Sequence, residues 1–241
     1  MVRSKLRTFL LGAGTATVVL AAALFPLGAS AAAQPSGPVA TDARGAAADT
    51  PLGPAAGFWS CTVPPGYTYT TTSSTSTCGS GNTQYFVQPA ADNLWACTLP
   101  AGFTYISAQN ASDCGPGGSS IKYYLRTPQT NLWACTAPSN FTYISVQNTV
   151  DCGPGAGTKY YLRTPETNLW ACTLPAGFTY ISVQSTQTCS TSGTRTKYYL
   201  RTPESNMWAC TVPPGYTYIS TQSTNDCSIS ATTTKYFIRA Y

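Results

Sequence analysis

LWACTLPAGFTYISAQNASDCGPGGSSIKYYLRTPQTN, residues 94–131, decides the fold, because the chain writes it five times with small changes. Trp59, Trp95, Trp133, Trp170 and Trp208 follow one another at steps of 36, 38, 37 and 38. Each unit runs approximately Trp-Ala-Cys-Thr-x-Pro-x-Gly-Phe/Tyr-Thr-Tyr, then a Ser/Thr-rich stretch and a second cysteine. A loop of variable length follows, and Lys-Tyr-Tyr-Leu-Arg-Thr-Pro-x-x-Asn-Leu leads into the next tryptophan. Repetition at this period marks a repeat array. The units are expected at 58–93, 94–131, 132–168, 169–206 and 207–241. The first diverges most, with Gln84-Tyr85-Phe86-Val87-Gln88 in place of the basic strand, as befits an end repeat.

The cysteines keep stricter time than the repeats. Cys61 and Cys78, Cys97 and Cys114, Cys135 and Cys152, Cys172 and Cys189, and Cys210 and Cys227 are all 17 apart. The segments between these pairs hold 18, 20, 19 and 20 residues, so length varies only outside them. A disulfide fixes its Cα atoms about 4.4–6.8 Å apart, so a bridged segment resists insertion. The expected pairing is therefore one bridge per repeat, each contributing about 3 kcal/mol by restricting the unfolded chain. A unit this short rarely folds alone without such a staple.

Within a unit, 94–98, 103–107 and 122–126 are short runs of aromatic and β-branched residues with period-two character. The expected fold is all-β: a tandem array of five disulfide-stapled, three-stranded antiparallel repeats. Pro100-Ala101-Gly102 predicts a tight hairpin between the first two strands, which makes the chain a meander of about fifteen strands with no helix. Separate stapled beads and a continuous or ring-like array compete, and the short Thr127–Asn131 connection favours contact between units.

The N-terminus predicts export. Arg3, Lys5 and Arg7 precede an apolar run over 8–25, then Pro26 and the small residues Gly28-Ala29-Ser30-Ala31. This order is that of a signal peptide spanning 1–31, cleaved after Ala31 or Ala33, with no membrane attachment afterwards. Residues 32–57, rich in Ala, Pro and Gly, read as a disordered linker. Cleavage leaves 10 Lys and Arg against 8 Asp and Glu, which argues against nucleic acid as a partner.

Histidine is absent and no Cys-x2-Cys pair occurs, which removes the usual zinc frameworks and histidine-based hydrolases. No cofactor or metal is expected. The acids outside the linker (Asp92, Asp113, Asp151, Glu166, Glu204 and Asp226) are scattered at turns, and none recurs in all five units. A glycosidase needs two converging carboxylates, so the chain reads as a non-enzyme. The three Asp-Cys acids read as turn residues.

Two groups are candidates for binding. The first is the face of the third strand: Lys122, Tyr124 and Arg126; Lys159, Tyr161 and Arg163; Lys197, Tyr199 and Arg201; and Lys235 with Arg239, where Phe237 replaces the tyrosine. Tyr123 and Leu125 alternate to the other, core-facing side. The second is the tryptophans. Trp95 lies two residues before Cys97, which in a strand puts both on one face, so packing beside the disulfide is the expectation and a ligand platform the alternative. The expected activity is multivalent binding of a polysaccharide or cell-wall glycan outside the cell. A structural or surface-coat protein that assembles through edge strands is the main rival. A protease inhibitor presenting Arg126-Thr127-Pro128, or an antimicrobial, is the third reading.

Overall fold

The computed structural model describes residues 57–241 apart from 116, 117 and 119. The predicted signal peptide and all of the linker but Gly57 lie outside the described residues. Among the described residues, no helix is long and apolar enough to cross a membrane.

Five three-stranded antiparallel sheets follow one another along the chain. They are β1 (Phe58–Ser60), β2 (Tyr67–Ser74) and β3 (Thr83–Pro89); then β4 (Trp95–Ala96), β5 (Thr104–Ala111) and β6 (Ser120–Arg126). The third is β7 (Trp133–Ala134), β8 (Thr142–Thr149) and β9 (Gly157–Arg163), and the fourth β10 (Trp170–Ala171), β11 (Thr179–Thr186) and β12 (Arg195–Arg201). The last is β13 (Met207–Ala209), β14 (Tyr216–Thr224) and β15 (Thr233–Ala240). A 3-10 segment, Ser76–Gly81, interrupts the first repeat where the sequence reading had no helical turn.

All five disulfides lie within repeats, with Cα separations of 5.3–5.4 Å, as the constant spacing predicts. The strand order differs from a meander. In every sheet the third strand is central, giving β4-β6-β5 in the second repeat. Trp95 and Ser107 both stand opposite Tyr124, one from each side. The Pro-x-Gly segment is therefore no hairpin; it carries the chain from one sheet edge to the other. Its turn is closed by Phe103 N–H donating to Pro100 O at 3.2 Å, with Gly102 at φ +84° where a side chain would be strained. The first strand stops after two residues because the next backbone group belongs to a neighbour: Cys97 N–H donates to Tyr69 O of the preceding repeat.

The central position explains the core. Leu125, Leu162, Leu200, Ile238 and Val87, the same position of each third strand, are fully buried. Asn93, Asn131, Asn168 and Asn206 take φ of 63–68° just ahead of the first strand. Each donates its N–H to the carbonyl of the buried residue, Leu125, Leu162, Leu200 and Ile238 in turn. Asparagine enters the left-handed region more readily than residues other than glycine, which gives its recurrence before every Leu/Met-Trp a physical cause. One residue earlier, Asp92, Thr130, Thr167 and Ser205 accept from a backbone N–H at the end of the central strand, that of Thr127, Thr164, Thr202 and Ala240.

Neighbouring repeats form a continuous array. A bulge in each second strand, between Tyr105 and Ser107 in β5, makes this contact. On a regular strand, groups aimed to one side recur every second residue; the extra residue lets Tyr105 O and Ala108 N, three apart, face outward together. The next repeat meets both. Cys135 N–H donates to Tyr105 O at 2.8 Å, and Ala108 N–H donates to Asp151 O at 2.6 Å. Asp151 precedes Cys152, so the disulfide of one repeat ties together the two points that grip the repeat before it. A threonine pair completes the joint, the fully buried Thr104 Oγ1 to the half-buried Thr136 Oγ1 at 2.7 Å. The same three contacts recur at all four junctions.

Candidate functional site

The third strand carries its alternate residues to two faces, as period two requires. On one face Leu125 is buried, and Tyr123 meets Tyr105 edge to face with ring centroids 4.9 Å apart. Tyr105 lies in the junction with the next repeat. Burial raises its phenol above the ordinary pKa, and it does the same for Tyr69, Tyr143 and Tyr180.

The other face carries Lys122, Tyr124 and Arg126, and the tryptophan joins it. Trp95 stands opposite Tyr124 across the strand pair, and their rings lie 5.2 Å apart at a 47° tilt. Trp133 with Tyr161 and Trp170 with Tyr199 repeat this at 5.0 Å, and Trp208 with Phe237 at 5.2 Å. Trp59 with Phe86 in the first repeat gives 5.4 Å. The indoles are thus cross-strand partners of the third strand, not inward neighbours of the disulfide as their spacing to cysteine predicts. That inference assumed a strand running through Cys97, whereas β4 ends at Ala96. The indoles of repeats two to five are half-buried, and Trp59 is 45% exposed.

The lysines of this face are engaged. Lys122 bonds Asp113 and Lys159 bonds Asp151, both at 2.6 Å; Lys235 bonds Asp226 at 3.0 Å. The lysine side chains keep only 11–14% of their exposure, while the carboxylates stay about half exposed. The lysine hydrogen bond is the leading cause that holds the Asp151 and Asp226 carboxyls below the usual carboxylate pKa. In the fourth repeat Thr188 stands where the acid would be. There Lys197 donates to Ile144 O of the preceding repeat at 3.0 Å, and burial lowers its pKa. The first repeat has neither charge, with Thr77 and Gln84 at the two positions. Acid and lysine occur together in repeats two, three and five. The sequence held that signal, and reading the three acids as turn residues overlooked it.

The arginines are half-buried at the end of the same strand. Arg126 Nε lies 3.8 Å from an Asp92 carboxylate oxygen, and Arg163 Nη2 bonds Glu166 at 2.6 Å. The Nε atoms of Arg126, Arg163 and Arg201 are buried without a hydrogen-bond partner, whereas Arg239 is exposed. Asp92 is held below the usual carboxylate pKa, chiefly by the Thr127 hydroxyl. What each of repeats two to four presents on this face is a tilted, half-exposed Trp–Tyr pair beside a partly balanced cation.

Elsewhere the described surface offers shallow grooves at the junctions, such as that between the proline turns of repeats three and four, lined by Pro138, Phe141, Leu174 and Pro175. Among the described residues no three His, Cys, Asp or Glu side chains converge as metal ligands would, and all ten cysteines are bridged. Comparison with protein-family models, curated proteins and solved structures finds no match for this chain.

Proposed function

We propose that the array is an exported, non-enzymatic, multivalent binding protein whose Trp–Tyr faces take neutral glycan chains. The observation that carries this reading is the repetition of one half-exposed aromatic pair, at 5.0–5.4 Å, on the same strand pair of all five units. Aromatic rings offer apolar area at low entropic cost and stack on the C–H faces of sugars, while adjacent guanidinium groups donate to hydroxyls. The ion pairs refine the choice of ligand. With Lys122, Lys159 and Lys235 matched to aspartates and Arg126 and Arg163 beside Asp92 and Glu166, most cations of the face are balanced, which favours a neutral chain over a polyanion. Weak sites in a row suit a polymer, since engagement of several multiplies affinity by about 10²–10⁴ without any single strong contact.

Retention on insoluble chitin, cellulose and peptidoglycan tests the proposal. The parent is expected to bind at least one of the neutral polymers. Changing Tyr124, Tyr161 and Tyr199 together to phenylalanine should preserve folding, because Phe86 and Phe237 already fill this position in the outer repeats. Changing all three to alanine should reduce retention by about tenfold or more. A folded triple-alanine protein that binds like the parent, or a parent retained on none of the three polymers, sinks the reading. A second reading, a durable structural spacer, is favoured by the hydrogen-bonded, stapled joints between repeats.

A further inference from the structure

The two ends of the array are unlike, and each lacks what the other offers. In β14 of the last repeat, Thr217, Tyr218 and Thr221 occupy the places that dock onto a following repeat elsewhere. Thr68, Thr104, Thr142 and Thr179 are fully buried at the four internal joints, whereas Thr217 is exposed. Tyr218 is 52% and the bulge residue Ile219 56% exposed, while their internal counterparts Tyr180 and Ile181 are half-buried. At the opposite end, Cys61 and Thr62 are exposed where Cys97, Cys135 and Cys210 are buried. Thr77 stands before the second cysteine, as Thr188 does where it accepts from Val146 N–H at 2.8 Å.

We propose that copies of this chain join head to tail through these two ends, reproducing the internal joint between molecules. Cys61 N–H of one copy donates to Tyr218 O of another, Thr221 N–H donates to Thr77 O, and the Thr217 and Thr62 hydroxyls pair. Continuity with an interface made four times within the chain identifies the occupant as a second copy. The composition of the edge agrees. Sheet edges that must stay single carry lysine, proline or an inward charge, and Tyr216–Thr224 has none of these. Solenoids that must end carry a polar outer face on their terminal repeat, yet here the last repeat keeps the tyrosine and isoleucine of an internal one. The first repeat diverges in its central strand and in the 3-10 segment Ser76–Gly81 around its second cysteine, and keeps its docking threonine, Thr62. The joint is heterologous, so it propagates into filaments or closes a ring of several copies, and does not stop at a twofold dimer.

Sedimentation velocity and negative-stain microscopy of the mature protein over a wide concentration range test this, independently of any glycan. The parent should form concentration-dependent species beyond the dimer. Thr217→Lys and Thr62→Lys, each checked for an unchanged thermal midpoint, should remain monomeric alone. Mixed in equal amounts they should give heterodimers and nothing larger, since each retains one competent end. A parent that stays monomeric overturns the proposal, whether residues 32–56 or another protein occupies the edge. So does a pair of variants that still self-associate, or a parent that stops at a dimer.

Discussion

At the scale of single residues, the asparagine before each Leu/Met-Trp pair is the most constrained position that carries no chemistry. Its positive φ would cost an ordinary L-residue about 1–2 kcal/mol. Asn131→Ala should therefore lower the thermal midpoint while Asn131→Gly should nearly preserve it, and equal effects would show that the φ of 68° is not what the asparagine provides. The sequence displayed this residue in four repeats, and its backbone role needed only the question of which residues accept a left-handed conformation. The Asp–Lys pairs were equally readable, since wherever the acid precedes the second cysteine the same repeat carries the lysine. The position of the indole was less so. Counting two residues from Trp95 to Cys97 presumes a continuous strand, and no local property of Thr98-Leu99-Pro100 announces that the strand ends at Ala96.

At the scale of the strand and its staple, composition located all three runs in each repeat, and the invariant cysteine spacing located the bridges. What stayed hidden was the order of pairing. A Pro-x-Gly turn closes equally well between adjacent strands and across a sheet, so the local signal is the same for both. The choice is made by the long-range partner, because the segment after Trp-Ala gives its N–H to the previous repeat. This gives the disulfide a second task beyond shortening the unfolded chain. Replacing Cys135 and Cys152 together with serine should cost about 3 kcal/mol from loop closure. It should also loosen the grip on β5, so the backbone amides of position 135 and of Ala108 should exchange with solvent much faster, while the Ile238 amide in the last repeat changes little. Uniform acceleration along the whole chain would show that the bridge acts globally and not at its own joint.

At the scale of the whole array, stability is a sum over repeats and the joints between them. Deleting residues 132–168 brings Asn131 directly before Leu169, which keeps the Asn-Leu-Trp sequence found at Asn93-Leu94-Trp95. The shortened chain should fold with a lower denaturation midpoint, having three joints in place of four; a chain that unfolds outright, or one unchanged in midpoint, would contradict additive joints. The short connections had argued for contact between units, but only the bulge and its outward backbone groups show how contact is made. The clamp formed by each disulfide also sets how the protein answers tension. Pulled from its ends, a repeat cannot unravel beyond its bridge, so the 17-residue spans stay locked and only the 18–20 residues between bridges pay out. At about 3.4 Å per residue, each such segment is roughly 65 Å long when fully extended. Stretch would arrive in small, nearly equal increments, and each released repeat would keep a covalently closed loop from which to rewind, the behaviour of a tether that yields without fraying.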